Sequence, residues 1–161
     1  MKNNKGFSLV ELIIVIAIMA VLVGVLAPTY LQYVEKSKKS NDVSTVDSVI
    51  NACEIGAIDP EVMTDPTVKL EITFSNDTSA VMDIKAYKSG SATPEASSKW
   101  KDAVFAAVGS DVKMKSSNWT ASIVVIAERD PANGSVVFKY GGSTPDAFKT
   151  YATALTKVSG S

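Results

Sequence analysis

The stretch Gly6-Phe7-Ser8-Leu9-Val10-Glu11-Leu12 opens an apolar run that continues almost unbroken to Ala27. The run holds about 21 residues, enough for a helix of roughly 30 Å, which matches the hydrocarbon core of a bilayer. A short basic and polar segment, residues 1–6, precedes it. Ordinary signal-peptide cleavage is not expected, because Ala27 is followed by Pro28 and has no small residue two positions before it. The pattern predicts an apolar helix that is retained.

Two residues in this run, and the proline that follows it, affect the predicted helix. Glu11 places a carboxylate near its start, and a charge at the centre of a bilayer helix costs roughly 2.5–3.5 kcal/mol, less near the interface. A partner for Glu11 is therefore expected. Pro28 removes a helical hydrogen bond and Gly24 weakens the preceding turn, so a kink or local opening is predicted there.

The block from Lys5 to Leu12, with its basic leader and apolar run and with Pro28, Tyr30 and Tyr33, resembles the class III signal of type IV prepilins. The resemblance covers about the first 35 residues. It implies that a prepilin peptidase cuts between Gly6 and Phe7 on the cytoplasmic side. It also implies that the new amino group of Phe7 is methylated.

The new α-amino group would be largely cationic at neutral pH, since its unperturbed pKa is near 8. It would lie four residues from Glu11, which could neutralise it in its own chain or in an adjacent subunit. The residues leave both pairings open. The resemblance favours the neighbour, where one axial offset would pair every Glu11 and so fix the register of a filament. It also implies some loss of helix between about residues 20 and 28 on assembly.

Apolar residues after the run recur at three- and four-residue spacing, from Tyr30 to Cys53. This spacing predicts an amphipathic helix that continues the apolar one to about Ala57, with Gly56 as its stop. The polar residues between them are expected to face solvent: Lys36, Lys38, Lys39, Asn41, Asp42, Asp47 and Asn51.

The remainder predicts a compact α+β head. Together with the resemblance, this implies an α+β fold like that of type IV pilins, in which a long N-terminal helix packs on a small antiparallel sheet with short additional helices. Expected elements are strands at 68–74 and 81–87, a helix from Thr93-Pro94-Glu95 to Gly109, strands at 122–128 and 135–140 joined by a hairpin turn at 129–134, and a short helix beginning near Pro145 with Phe148, Tyr151, Ala152 and Leu155 on one face. The domain plan is a leader at 1–6, a transmembrane or filament-core helix at 7–28, and an amphipathic segment at 29–57 that forms one domain with the head at 58–161.

Cys53 is the only cysteine, so no disulfide can form within the chain. It continues the apolar stripe and is predicted to be a small buried hydrophobe rather than a reactive thiol. Many Gram-negative type IV pilins carry a C-terminal cysteine pair, and its absence is compatible with a Gram-positive lineage.

An enzymatic function is not expected. The chain has no histidine, no glycine-rich phosphate loop and no nucleophile elbow, and neither a cofactor nor a metal is predicted. Asp130 and Asp146 are interpreted as turn and cap residues. The net charge is −1, and cleavage of the leader with Lys2 and Lys5 would bring it to −3, so no direct nucleic-acid binding is predicted.

The resemblance implies a structural subunit of a type IV pilus, with adhesion, twitching motility and aggregation as roles of the filament. Its expected partners are copies of itself, the prepilin peptidase, membrane lipid before assembly, and, indirectly, a platform protein and assembly ATPases. It would be a single-pass protein with an extracellular head before assembly and part of an extracellular fimbrium afterwards. Two alternatives stay open: a pseudopilin of a type II secretion or competence system, and a membrane-tethered binding module that never polymerises.

Overall fold

The computed structural model describes residues 8–152 and residues 158–159. The elements are α1 (Leu9–Ala57), α2 (Pro60–Met63), β1 (Thr67–Phe74), β2 (Asp83–Lys88), α3 (Lys99–Val108), β3 (Ile123–Arg129), β4 (Val136–Tyr140), α4 (Asp146–Tyr151) and β5 (Val158–Ser159). The chain divides into two compact units, Met1–Ser37 and Lys38–Ser161. The second unit is called the head below.

Helix α1 has 49 residues, close to the length predicted from the sequence. It continues as helix through Gly24 and Pro28, so the segment is not opened here. A Cβ at Gly24 would meet nothing within 4 Å. The kink at Gly24 and Pro28, and the loss of helix in this segment on assembly, stay predictions.

The sheet of the head has the order β2-β1-β3-β4-β5, with antiparallel pairing throughout except for the parallel pair β4–β5. Alternate residues of β1 and β3 face the core, and they meet the predicted apolar stripe of α1 in one hydrophobic cluster. The cluster includes Val46, Ile50 and Cys53 of α1, Leu70 and Ile72 of β1, Val125 and Ala127 of β3, Phe138 of β4 and Trp100 of α3. The predicted α+β class is confirmed.

Asp42 corrects one sequence expectation, because it is fully buried and does not face solvent. Its Oδ1 accepts the backbone N–H of Lys115 at 2.6 Å, and its Oδ2 accepts the backbone N–H of Ser116 at 3.0 Å and the indole N–H of Trp119 at 2.8 Å. A buried carboxylate is tolerated only when hydrogen bonds replace its water. Asp42 therefore ties the loop before β3 to α1.

Gly56 was predicted as the stop of α1, but the helix includes it and ends at Ala57. A Cβ at this position would lie 3.3 Å from Cβ of Ala103 and 3.5 Å from Cδ1 of Trp100. Gly56 therefore permits the close approach of α3 rather than ending α1. The indole N–H of Trp100 donates to the carbonyl of Cys53 at 2.9 Å and fixes the same contact.

The start of α3 also differs from the prediction: it begins at Lys99, with Ser98 as N-cap accepting the N–H of Lys101 at 3.3 Å. The predicted start at 93–95 fails because Glu95 bridges to β2, its N–H donating to the carbonyl of Ala86 at 2.7 Å. The predicted end at Gly109 is confirmed, with φ of 82°.

Asp65 joins three elements at the start of α3. It accepts the N–H of Thr67 at 2.8 Å and also the backbone N–H groups of Lys99 and Trp100. Burial acts to raise the pKa of Asp65, but these donors outweigh it and hold the pKa below its ordinary value. The buried guanidinium of Arg129 donates to the carbonyls of Asp65 and Thr67 at 2.8 and 2.6 Å, which completes the junction.

The predicted hairpin between the third and fourth strands is confirmed. The N–H of Gly134 donates to the carbonyl of Asp130 at 2.8 Å, and Oδ1 of Asp130 accepts the N–H of Ala132 at 2.9 Å. Gly134 has φ of 72°, and a Cβ there would lie 3.1 Å from the carbonyl oxygen of Ala57, so both conformation and packing require glycine.

Strand β2 begins at Asp83 rather than at the predicted residue 81. Helix α4 begins one residue after Pro145 as predicted, and Phe148 is fully buried against the rings of Trp119 and Tyr140 at centroid distances of 5.1 and 6.1 Å. Leu155 lies outside the described residues. The two short elements α2 and β5 were not predicted.

Candidate assembly segment

The N-terminal end of α1 is closed by two of its own side chains. The backbone N–H of Ser8 donates to Oε2 of Glu11 at 2.9 Å, and the N–H of Val10 donates to Oγ of Ser8 at 3.4 Å. This arrangement is a capping box, in which two side chains satisfy N–H groups that the helix leaves unpaired. The motif Ser-x-x-Glu is visible in the sequence and would have predicted this cap, whereas the prediction for Glu11 concerned its charge alone.

Glu11 thus has a partner within the chain that differs from both predicted ones. A hydrogen bond to one backbone N–H leaves the negative charge in place and leaves other lone pairs on the carboxylate available. The arrangement is therefore compatible with pairing to an amino group of the same chain or of a neighbour. Gly6 and Phe7 lie outside the described residues, so their predicted cleavage and methylation remain predictions.

The surface of α1 beyond the cap is apolar and uncovered. Large hydrophobic side chains from Leu9 to Tyr33 are each about half to three-quarters exposed. The helix has an 18-residue window with a mean hydropathy of 3.1 that is not buried at all, so by length and composition it can cross a membrane. Such a surface requires either lipid or other apolar chains around it.

Cys53 is fully buried in the head, as predicted. Burial raises the pKa of its thiol from 9.0 to about 12, and the nearby charge of Glu54 adds to the effect. The thiol is therefore protonated and inert at physiological pH.

Within the described residues, no group of three or more Cys, Asp or Glu side chains could hold a metal ion. Asp130 lies in the hairpin turn, as described above. Asp146 lies in the first turn of α4 and pairs with Lys149 at 3.3 Å.

Comparison with known proteins supports the sequence resemblance at the N-terminus. The profile of the prokaryotic N-terminal methylation motif matches residues 1–27. Two curated proteins, each described as a fimbrial protein of Pseudomonas aeruginosa, are 34% identical over 70 residues, which is 43% of this chain and 46% of each relative. The chain therefore spans about half the length of the curated relatives it matches. No solved structure matches.

The methylation motif and the two fimbrial relatives support a pilin-like subunit, and the structure adds an uncovered apolar helix and an α+β head. At its N-terminus the chain is therefore similar to type IV pilins. The Gram-positive lineage suggested by the cysteine count is not supported by these comparisons.

Proposed function

We propose that this chain is the structural subunit of a type IV pilus, cleaved after Gly6 and methylated on Phe7. The uncovered apolar surface of α1, most of which lies within the matched methylation motif, is the observation that carries the proposal. Before assembly, lipid would cover this surface with the head outside the cell. After assembly, the same surfaces of other copies would cover it in an extracellular filament.

In this proposal the chain supplies surfaces and one charge, and other proteins supply the chemistry. A prepilin peptidase removes the leader and methylates the amino group. A platform protein and cytoplasmic ATPases drive extraction of the subunit from the membrane. Adhesion, twitching motility and aggregation belong to the assembled filament.

Two observations of the native protein test the proposal together. Mass spectrometry of the amino terminus should find N-methylated Phe7 and no residues 1–6. Electron microscopy of surface-sheared material should find long thin fibres that contain the chain. Cell-associated protein that retains residues 1–6 and forms no fibres would instead indicate the tethered binding module. Processed protein that forms short fibres only when a secretion or uptake system is overproduced would indicate a pseudopilin.

Substitutions at Glu11 separate its charge from its capping role. In Glu11→Gln the amide oxygen can still accept the N–H of Ser8, so the cap is retained while the charge is lost. In Glu11→Ala both are lost. If the charge sets the register, both variants insert in the membrane and abolish or strongly reduce fibres. Normal fibres from Glu11→Gln together with none from Glu11→Ala would assign Glu11 to the cap alone.

A further inference from the structure

The head carries positive charge at its N-terminal end, where its segment of α1 begins at Lys38. Lys38 and Lys39 lie on the helix itself. Lys113 and Lys115 join them, because the loop that carries them is tied to Asp42 by the backbone N–H of Lys115. These four lysines are called the basic end. Asp111 pairs with Lys113 at 3.0 Å, which leaves the basic end with an excess of positive charge.

Negative charge collects where α1 ends. Glu54 lines one open groove there, and Asp59, Glu61 and Asp102 line a second one together with Lys99. These four carboxylates are called the acidic end. At 1.5 Å per residue, the acidic end lies roughly 24 Å along α1 from the basic end. The two charge signs are therefore at opposite ends of the helix segment that the head packs against.

The acidic end also carries uncovered apolar side chains. Ile55 and Ile58 are 69% and 64% exposed. They line an open groove of about 380 Å³, and Gly134 and Val136 of the hairpin line it from the other side. Neighbouring exposed isoleucines beside a rim of charge are typical of a protein–protein contact. The basic end offers an amphipathic counterpart in Tyr151, which is 37% exposed.

Tyr151 lies at the basic end because its ring contacts Trp119, the indole that Asp42 holds. The two ring centroids are 6.4 Å apart, and Nζ of Lys39 lies 4.9 Å from the ring of Trp119. An aromatic ring beside ammonium groups can pack against the apolar side chains of a partner, while the lysines form ion pairs with carboxylates that surround those side chains.

We infer that the acidic end, through Ile55 and Ile58, docks on the basic end of a second copy of this chain. The inference rests on the proposed filament and names the head surfaces that meet in it. Charge complementarity favours a second copy of this chain as the partner. Contact between two acidic ends would place carboxylates against carboxylates, whereas contact between an acidic end and a basic end pairs carboxylates with lysines. Because the two surfaces differ, the contact is head-to-tail and can repeat from copy to copy along a filament, whereas a symmetric dimer would need like ends to meet.

Disulfide cross-linking in assembled fibres of the full chain tests the contact. The native Cys53 is buried and inert, so Ile58→Cys and Lys115→Cys introduce the reactive thiols. Oxidised fibres of the double variant should give a ladder of covalent oligomers, and each single variant should stay monomeric. The matched control combines Ile58→Cys with Lys85→Cys, an exposed position on β2, and should give no ladder.

Each other outcome overturns the contact in a recognisable way. Dimers from Ile58→Cys alone would show that like ends meet. Fibres without a ladder would refute the contact while leaving the proposed filament intact. Absence of fibres from the wild-type chain would refute the proposed function itself.

A charge exchange gives a second measurement that does not depend on thiol geometry. Glu61→Lys and Lys115→Glu should each lower fibre yield by about tenfold, since each places like charges across the contact. The two substitutions combined should restore the yield, because the pair of charges is only reversed. A double variant that is no better than the single ones would overturn the inference.

Discussion

In the first unit the large apolar side chains from Leu9 to Tyr33 are exposed, whereas in the head the same residue types form a closed core. The helix of the first unit satisfies its backbone within itself, but it has nothing of its own to cover its side chains. The head buries its apolar stripe of α1 under a sheet and α3. One helix thus carries both a surface that depends on its surroundings and a surface that the chain covers itself.

The consequence is a division of stability. Removing apolar side chains from the first unit should affect insertion and assembly, since burial there occurs only against lipid or other copies. Removing them from the head should lower its free energy of unfolding.

Trp100 gives the largest expected effect on the head. It is fully buried, its indole N–H donates to the carbonyl of Cys53, and the guanidinium of Arg129 lies 5.5 Å from its ring. Trp100→Ala should destabilise the head by about 3–5 kcal/mol, through lost burial, a cavity and the lost hydrogen bond to Cys53. The change in the free energy of unfolding is measured by denaturant unfolding of the full chain in detergent, followed by the far-UV circular dichroism of the sheet.

The matched control is Tyr30→Ala, an aromatic truncation in the first unit where the side chain is 67% exposed. It should leave the unfolding of the head within about 0.5 kcal/mol of wild type. An equal loss of stability in both variants would show that the two units do not differ as described.

Asp42 gives a smaller effect and sharpens the comparison within α1. In Asp42→Asn one oxygen becomes an NH₂ group that faces the N–H donors of the loop instead of accepting them. The head should lose about 1–3 kcal/mol. Asp47 lies five residues further along α1 and is only half-buried. Asp47→Asn should therefore lower the free energy of unfolding by only a few tenths of the loss expected for Asp42→Asn. Similar losses from both would remove the special role of Asp42.

The apolar run, the stripe of α1 and most strands could be predicted from the sequence because each depends on local periodicity. The lengths of α1 and β1 follow from spacing alone, as does the hairpin before β4. The same reasoning predicted the exposed apolar surface of α1, since an apolar run can be recognised without knowing any contact elsewhere in the chain.

What could not be predicted depends on contacts between distant residues. Asp42 is an ordinary polar residue in a helix until a loop more than 70 residues later supplies three donors. Helix α3 begins later than predicted because the backbone of Glu95 is hydrogen-bonded to β2 and because Asp65, in another loop, accepts N–H groups at the first turn of the helix. A helix start signal is local, so it fails where tertiary hydrogen bonds compete for the same residues.

Cys53 provides the smallest test, and it probes how well the head closes its core. The thiol should resist alkylation at pH 8 in the native chain and react fully after unfolding, as measured by mass increase. The engineered thiol of Ile58→Cys, at a position 64% exposed, should react under both conditions. Rapid native labelling of Cys53 would mean that this core opens readily.

The raised pKa of Cys53 also sets a direction for the pH dependence of stability. The folded thiol keeps its proton to about pH 12, whereas the unfolded one releases it near pH 9. The thiol therefore stabilises the head fully below pH 9, and this contribution falls as pH rises from 9 towards 12, by at most about 1.4 kcal/mol per pH unit. Cys53→Ala should lose stability less steeply than wild type over that window. Since the first unit has no cysteine and its described residues, 8–37, form no core, its helix content should be unaffected by the substitution at every pH. A change there would contradict the separation of the two units.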